Sequence, residues 1–269
     1  MIEQVKNPLL LYLLNIRSIL KISLYLLLYP LLVQSQECSL HELKQFYKNQ
    51  NSEEPITLFK NSKSEIQQIA LIRHGEPDLN KKGWRNRDEA IQFMQNYDSA
   101  IVIPFLKKPI NSESILIDSI YHSTFPRAEN TAMRAFGDSK NLVGNDDFVE
   151  FERKAMKWPN MKMPIKFWTA GSRILWMMGL NDKNIESFRQ AKKRAKSNAE
   201  ILEKHANQKR MVILVAHGLH NKYLKKYLRK SDWKMVYNSG NDYLSVKVMA
   251  RGFKKEKPKR TIYQPCGCL

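Results

Sequence analysis

The sequence predicts an α/β fold, a three-layer sandwich in which helices flank a mostly parallel sheet. Two short apolar runs, Gln67–Ile72 (QQIALI) and Met211–Ala216 (MVILVA), have the length and continuity of strands buried on both faces. Between them lie segments whose apolar residues recur at helical spacing. Strands that alternate with helices make an α/β layer architecture. The chain has 269 residues, 43% of them hydrophobic and 26% charged, so it can bury a sizeable core and is neither collagen-like nor wholly disordered. No internal repeat is visible.

The N-terminus is a separate object. The charge-free run Ile22 to Val33 is twelve residues long. That is short of the roughly 20 that a membrane-spanning helix needs and within the roughly 7–15 of a signal-peptide core. Arg17 and Lys21 lie just ahead of it, and Val33-Gln34-Ser35 offers compact residues for cleavage. The expectation is export, periplasmic or secreted, with cleavage after Ser35. An uncleaved membrane anchor, favoured by the extra apolar block Pro8–Leu14, and a true start nearer Arg17 are the alternatives. Cys38 does not read as a lipoprotein site, because Ser35-Gln36-Glu37 lacks the small residues that signal needs.

The remaining elements follow in order. Residues 36–66 are polar and form a loose or helical lead-in. The strand Gln67–Ile72 ends at Arg73. Asp88–Tyr97 is a helix through Ala90, Ile91, Met94 and Tyr97. Asp118–His122 is a short strand, Arg127–Phe136 a helix, and Asp138–Asp147 a polar loop. Asn184–His205 is an amphipathic helix, with Ile185, Phe188, Ala195, Ala199 and Leu202 on one face and Lys192, Lys193, Arg194 and Lys196 on the other. Met211–Ala216 is the clearest strand, and Tyr243–Val248 the last. The folded domain is expected over residues 67–250, followed by a basic tail, 251–269, that ends in Cys266-Gly-Cys268.

Residues 156–180 are rich in Met, Trp, Phe and Pro. Trp158, Phe167, Trp168 and Trp176 could line a pocket, with Trp158–Met163 as a lid. The helical second half reads mostly as core, because Ile174, Leu175, Met178 and Leu180 would pack on a sheet. Lys157, Lys162, Lys166 and Arg173 interleave with the aromatics, so contact with an anionic membrane surface is a third reading.

The charge is unusual. There are 45 Lys and Arg against 26 Asp and Glu, a net charge of +19. Removing residues 1–35 takes away three cations and Glu3 and leaves +17 over 234 residues, so the basic character belongs to the folded part. Such a protein attracts phosphates, nucleic acid or anionic membranes. Nothing groups aromatic and basic residues as a nucleic-acid module would, and no nucleic-acid partner is expected. Lys222–Lys230 and Lys254–Arg260 read as solvated faces that could also steer anionic substrates. Three cysteines are too few for a disulfide scaffold. In an exported protein, Cys38 could still pair with Cys266 or Cys268.

The chemistry lies at the ends of the two best strands. One runs into Arg73-His74-Gly75-Glu76, the other into His217-Gly218. Ligands bind at the carboxyl ends of parallel strands, and the glycines let backbone amides approach an anion. A third segment, Ser123 to Ala132, delivers Arg127 near a helix N-terminus. Two histidines and two arginines converging on one point suit a phosphoryl group: guanidinium forks bind its oxygens, and a neutral histidine can attack phosphorus. The second histidine, if protonated, would help to stabilise the transition state. No metal or other cofactor is required.

These motifs resemble the histidine phosphatase superfamily, which includes the phosphoglycerate mutases. Leu71-Ile72-Arg73-His74-Gly75-Glu76 with Asn80 is similar to its first motif, Ser123–Ala132 to its second, and Val215-Ala216-His217-Gly218 to its last. Phe148-Val149-Glu150 stands where the family keeps its acid. The resemblance spans roughly residues 68–250 and favours the mutase-like branch, because the first motif lacks an extra arginine and the last is His-Gly rather than His-Asp. It implies a phosphoglycerate mutase-like fold, His74 as nucleophile, a phosphate pocket of Arg73, Arg127 and His217, and contact of Asn80 with the phosphoryl group or substrate. It also implies Glu150 as proton donor. Spacing alone does not separate Glu150 from Glu152, and Asp146 and Asp147 are near.

A phosphatase acting on a small phosphorylated substrate or a phosphoprotein is therefore expected. A mutase, or a non-catalytic module binding anions or a membrane surface, is the alternative. His220 reads as a surface residue rather than a metal ligand, and His41, His122 and His205 as surface or structural.

Overall fold

A computed structural model describes residues 40–51, 54–59, 66–111, 119–137, 141–152, 160–180 and 184–252. Its elements are α1 (40–48), β1 (Ile66–Arg73), β2 (Trp84–Arg85), α2 (Arg87–Ser99), β3 (Ile120–Ser123), α3 (Pro126–Phe136), β4 (Leu142–Asn145), β5 (Met163–Pro164), α4 (Ile165–Met177), α5 (Phe188–Lys209), β6 (Met211–Ala216), α6 (Gly218–Lys230), β7 (Lys234–Asn238) and β8 (Val246–Gly252). A 3-10 turn covers Asp146–Phe148.

The two apolar runs are neighbours. β1 and β6 pair in parallel, from Gln68 opposite Met211 to Arg73 opposite Ala216. The sheet order is β4-β3-β6-β1-β8-β7. β3 lies parallel to both β4 and β6, and β8 runs antiparallel to β1 and β7. Side chains of a strand alternate between faces, and both faces are covered. Ala70, Ile72, Ile213 and Val215 pack with Leu43 and Tyr47 of α1 and with Ala132, Ala135 and Phe136 of α3. Ile69, Leu71, Val212 and Leu214 pack with Ala199, Leu202 and Ala206 of α5 and with Leu224 and Leu228 of α6. Helix, sheet and helix make the expected three layers.

Capping fixes where two helices begin. Asn86 with Glu89 opens α2, and Ser187 with Gln190 opens α5; each pair is a reciprocal capping box. Beside the main sheet, β2 and β5 pair through Trp84 opposite Pro164, and Ile165 and Trp168 of α4 pack on Ala90, Phe93 and Met94 of α2.

The structure corrects several expectations. The segment Asp138–Asp147, read as a loop, holds β4, an edge strand too short and too little buried to carry an apolar run. α5 starts at Phe188, because Ser187 is its cap. The last strand begins at Val246, because Leu244 adopts φ 60 and turns the chain before it. The Lys222–Lys230 cluster lies on α6, and as expected of a solvated face Lys222, Lys226, Arg229 and Lys230 are exposed while Leu224 and Leu228 hold the helix down.

On α4 the buried face is Ile165, Trp168, Ser172 and Trp176, whereas Ile174, Met178 and Leu180 are 57%, 68% and 64% exposed. The tryptophans win the interior because an indole buries more apolar area than an aliphatic chain. Their N–H groups also find carbonyl acceptors at Arg85 (2.8 Å) and Glu186 (2.7 Å). Phe167 is exposed.

Residues 1–35, Cys38, Trp158, Lys254–Arg260, Cys266 and Cys268 lie outside the described residues. Among the described residues, no helix is long and apolar enough to cross a membrane.

Candidate active site

Both histidines leave the sheet at the same edge. The His74 amide donates to the Ala216 carbonyl at 2.9 Å, carrying the β1–β6 pairing one residue past β1. The imidazole rings of His74 and His217 stand 5.1 Å apart, centroid to centroid, and both side chains are buried. Nδ1 of His74 is 2.7 Å from the Gly75 carbonyl oxygen. A carbonyl only accepts, so Nδ1 carries the proton and Nε2 keeps its lone pair. Nε2 of His217 is 2.8 Å from Ser123 Oγ at the end of β3, and its Nδ1 has no hydrogen-bond partner among the described residues. Thr131 on α3 ties this edge together: its Oγ1 accepts from the Gly75 amide at 2.9 Å and donates to the Arg127 carbonyl at 2.6 Å.

The two arginines flank the histidines. Arg73 extends from the end of β1 over the start of α6. Its guanidinium stacks on Tyr243, 4.4 Å from the ring centroid, and Nη1 donates to the Asn241 carbonyl at 2.5 Å. The absence of a side chain at Gly218 makes room for it, since a Cβ there would stand 3.3 Å from Arg73 Nε. Arg127 is 1% exposed. It caps the end of α2, donating to the carbonyls of Tyr97 (2.9 Å) and Asp98 (3.2 Å), with the Asp98 carboxylate 3.4 Å away.

This surrounding decides the protonation states. Burial, then the charge of Arg127, lowers the His74 pKa to about 3. Burial and Arg127 also hold His217 well below the usual histidine value. His74 is therefore neutral at physiological pH, the state in which its Nε2 lone pair is free. His217 is neutral too, so the protonated second histidine foreseen from the sequence is not the state of the free protein.

His74, Arg73 and Glu150 line one cavity of about 540 Å³. Glu150 Oε1 accepts from the amides of Phe151 (3.0 Å) and His220 (3.1 Å), so the carboxylate caps the N-terminus of α6. Arg194 fixes the segment before it, donating to the carbonyls of Asp147 (2.7 Å) and Val149 (2.9 Å). That role, and a salt bridge to Glu186, set Arg194 apart from the solvated face assigned to it from sequence. Glu152 is absent from this cavity wall and accepts from the Glu186 amide at 2.5 Å. Asp146 is engaged by the Thr124 hydroxyl at 2.5 Å.

Asn80, like Arg127 and His217, is absent from the wall of this cavity; it is exposed, and its Oδ1 accepts from the Lys82 amide at 3.0 Å in a local turn. His220 is buried rather than exposed. Its Nδ1 lies 3.0 Å from the Phe148 carbonyl and its Nε2 3.1 Å from Asn198 Nδ2, so it braces the loop that carries Glu150. Burial lowers its pKa to about 4. Among the described residues, no three His, Cys, Asp or Glu side chains gather as a metal site would require.

Sequence reasoning missed the wall contributed by the chain before and within β8: Asn241, Ser245 and Lys247, with Tyr243 against Arg73. It also missed Asn221, whose Nδ2 donates to the Ile72 carbonyl at 3.0 Å and ties α6 to β1. The signal available was the turn-forming run Asn238-Ser239-Gly240-Asn241-Asp242 just ahead of a strand.

Residues 109–260 match the family described as the histidine phosphatase superfamily, branch 1. The matched stretch contains Arg127, Glu150 and His217, while Arg73 and His74 precede it. No curated protein matches the chain. Among solved structures, a mycobacterial glucosyl-3-phosphoglycerate phosphatase is 16% identical, with 69% of this chain and 90% of that one covered and a TM-score of 0.43. A phosphoserine phosphatase mutant from Entamoeba histolytica is 18% identical, covering 67% and 89%, with a TM-score of 0.39. A phosphoglycerate mutase from Bacillus anthracis is 16% identical, covering 71% and 91%, with a TM-score of 0.44.

Proposed function

The chain belongs to the histidine phosphatase superfamily, and from that premise we propose that it is a metal-independent phosphatase that hydrolyses phosphomonoesters through a phosphohistidine on His74. Phosphatase or phosphoryl-transfer chemistry comes with the family. The observation that carries the finer reading is the pair of neighbouring imidazoles, 5.1 Å apart and edge to face, with Arg127 and Arg73 both acting on His74 and its Nδ1 proton committed to Gly75.

The phosphoryl group sits among Arg73, Arg127 and His217. His74 Nε2 attacks phosphorus as the P–O bond to the leaving group breaks, and Glu150, a carboxylate in the free protein that takes up a proton as the phosphate ester binds, gives that proton to the leaving oxygen. The Glu150 carboxylate then takes a proton from water as that water displaces His74, which releases inorganic phosphate; with that proton shed as the phosphate leaves, both residues are back in their starting states. Positioning and electrostatics supply most of the catalysis in such transfers. Burial contributes by keeping His74 neutral, because a protonated ring has no lone pair to offer.

The test is turnover of an aryl phosphate combined with acid-quenched trapping of labelled phosphate. Wild type should turn over and trap acid-labile label, and His74→Ala should do neither while keeping its fold. Label trapped equally on His74→Ala would refute the assignment of the nucleophile.

A further inference from the structure

The stretch that carries Glu150 has little secondary structure of its own. Past the 3-10 turn at Asp146–Phe148, residues 149–152 belong to no helix or strand. Backbone carbonyls withdrawn from water must still find donors, and here side chains from three helices supply them. Arg194 Nη1 of α5 donates to the carbonyls of Asp147 (2.7 Å) and Val149 (2.9 Å), and Asn198 Nδ2 donates to Asp147 as well, at 2.6 Å. His220 Nδ1 of α6 lies 3.0 Å from the Phe148 carbonyl. Arg173 Nη1 of α4 donates to the carbonyls of Phe151 (2.8 Å) and Glu152 (3.2 Å). The backbone is therefore held on both sides of Glu150.

Arg194 is itself fixed by Glu186. The Glu186 carboxylate accepts from Arg194 Nε at 2.9 Å and Nη2 at 2.8 Å, and the two side chains are only 16% and 18% exposed. Glu186 also reaches the far end of the stretch: its amide donates to the Glu152 carboxylate at 2.5 Å, and its carbonyl accepts from Trp176 Nε1 at 2.7 Å. With Nε and Nη2 on the carboxylate, Nη1 is left for the two carbonyls. That geometry needs the planar fork of arginine, and a lysine ammonium does not reproduce it. Neither Arg194 nor Glu186 lines the cavity of His74 and Glu150. A loop that only connects two elements can leave its carbonyls to water. One that carries a proton donor cannot, because a misplacement of about 1 Å costs on the order of 10²-fold in rate.

We propose that Arg194, anchored by Glu186, is a positioning residue for proton transfer: it fixes the backbone from which Glu150 meets the leaving group. This rests on the reading of Glu150 as proton donor.

The test is a double-substitution cycle on the full-length protein, with β-glycerophosphate as the alkyl ester and p-nitrophenyl phosphate as the aryl ester. Arg194→Lys keeps the charge near the buried histidines and removes the fork. It should lower kcat for the alkyl ester about 10–100-fold with KM little changed, and slow the aryl ester far less. In a Glu150→Gln background the same substitution should cost nothing further on the alkyl ester, because the group it positions is already gone. Glu186→Gln, which keeps the shape of a partly exposed side chain, should act in the same direction more weakly, and it decides the matter if Arg194→Lys does not fold. No loss, equal losses on both esters, or losses that multiply with that of Glu150→Gln would overturn the positioning role. A Glu150→Gln protein that keeps full rate on the alkyl ester would instead refute the proton-donor reading itself, and the positioning role with it.

Discussion

Replacing Glu150 by Gln separates the proposed proton delivery from the structural work of the same side chain. In the structure Oε1 holds the amides of Phe151 and His220 at 3.0 and 3.1 Å, and Oε2 lies 3.5 Å from the Leu219 amide, a weak contact. Glutamine keeps one oxygen for the two good bonds. It loses the weak one and the negative charge at the start of α6. A charge at a helix N-terminus contributes about 0.3–1 kcal/mol, which for a chain of this size corresponds to a melting point lower by a few degrees at most. Loss of a general acid costs about 10²–10⁴-fold in rate, or roughly 3–5 kcal/mol of barrier. The kinetic effect should therefore far exceed the effect on stability.

The leaving group provides the discriminating assay. An alkyl phosphate departs as a strongly basic alkoxide and needs the proton, whereas a nitrophenyl phosphate departs as a stabilised phenolate and needs it much less. Glu150→Gln should slow the alkyl ester by the full factor and the aryl ester by far less, with melting points nearly equal. Equal loss on both esters would assign Glu150 a binding role. No loss on either would move the donor to Glu152, Asp146 or Asp147, although none of these lines the cavity with His74.

Two further outcomes follow from the same geometry. His74, His217 and His220 are all held neutral by burial, with pKa values of about 3 for His74 and about 4 for His220 against an ordinary 6.5. Below pH 6.5 the unfolded chain takes up protons that the fold refuses, so stability should be full above that pH. It should fall by about 4 kcal/mol by pH 5.5 if the three act independently; denaturant midpoints unchanged between pH 7.5 and 5.5 would contradict this. Gly218→Ala should change stability little, since position 218 is the first residue of α6 and the neighbour its Cβ would press is the flexible end of the Arg73 side chain. Its Cβ would nevertheless crowd Arg73 Nε at 3.3 Å and should weaken inhibition by phosphate or vanadate about tenfold, the worth of one charge-assisted hydrogen bond. An unchanged inhibition constant would remove Arg73 from the phosphate pocket.

The sequence made the parallel half of the sheet legible, and with it the two histidines, because β1 and β6 are buried on both faces and so read as continuous apolar runs. Ligand groups gather at the carboxyl ends of such strands, and His74, His217 and the Arg127 segment were found by that rule. It fails at β8. That strand runs antiparallel to β1, so its amino end lies at the site, and Asn241, Ser245 and Lys247 arrive from a direction the rule does not inspect. The face of α4 was misjudged for a different reason. Ile174, Met178 and Leu180 are as apolar as its buried residues, and spacing alone does not say which stripe a pair of tryptophans will claim.

The protonation states connect the fold to the chemistry. A sheet edge that buries two imidazoles beside two guanidinium groups makes it costly for either ring to carry a proton, and that cost keeps His74 nucleophilic. The same burial would work against catalysis if it lasted through the reaction, because negative charge on the transferring group needs positive charge around it. An arriving phosphoryl dianion reverses the balance. It screens Arg73 and Arg127 from the rings and is itself the counter-charge that a protonated His217 would require. Neutrality of His217 in the free protein and the protonated ring that the proposed transition state would use are thus two states of one electrostatic arrangement. Ser123, 2.8 Å from Nε2, holds the ring in the orientation that serves both.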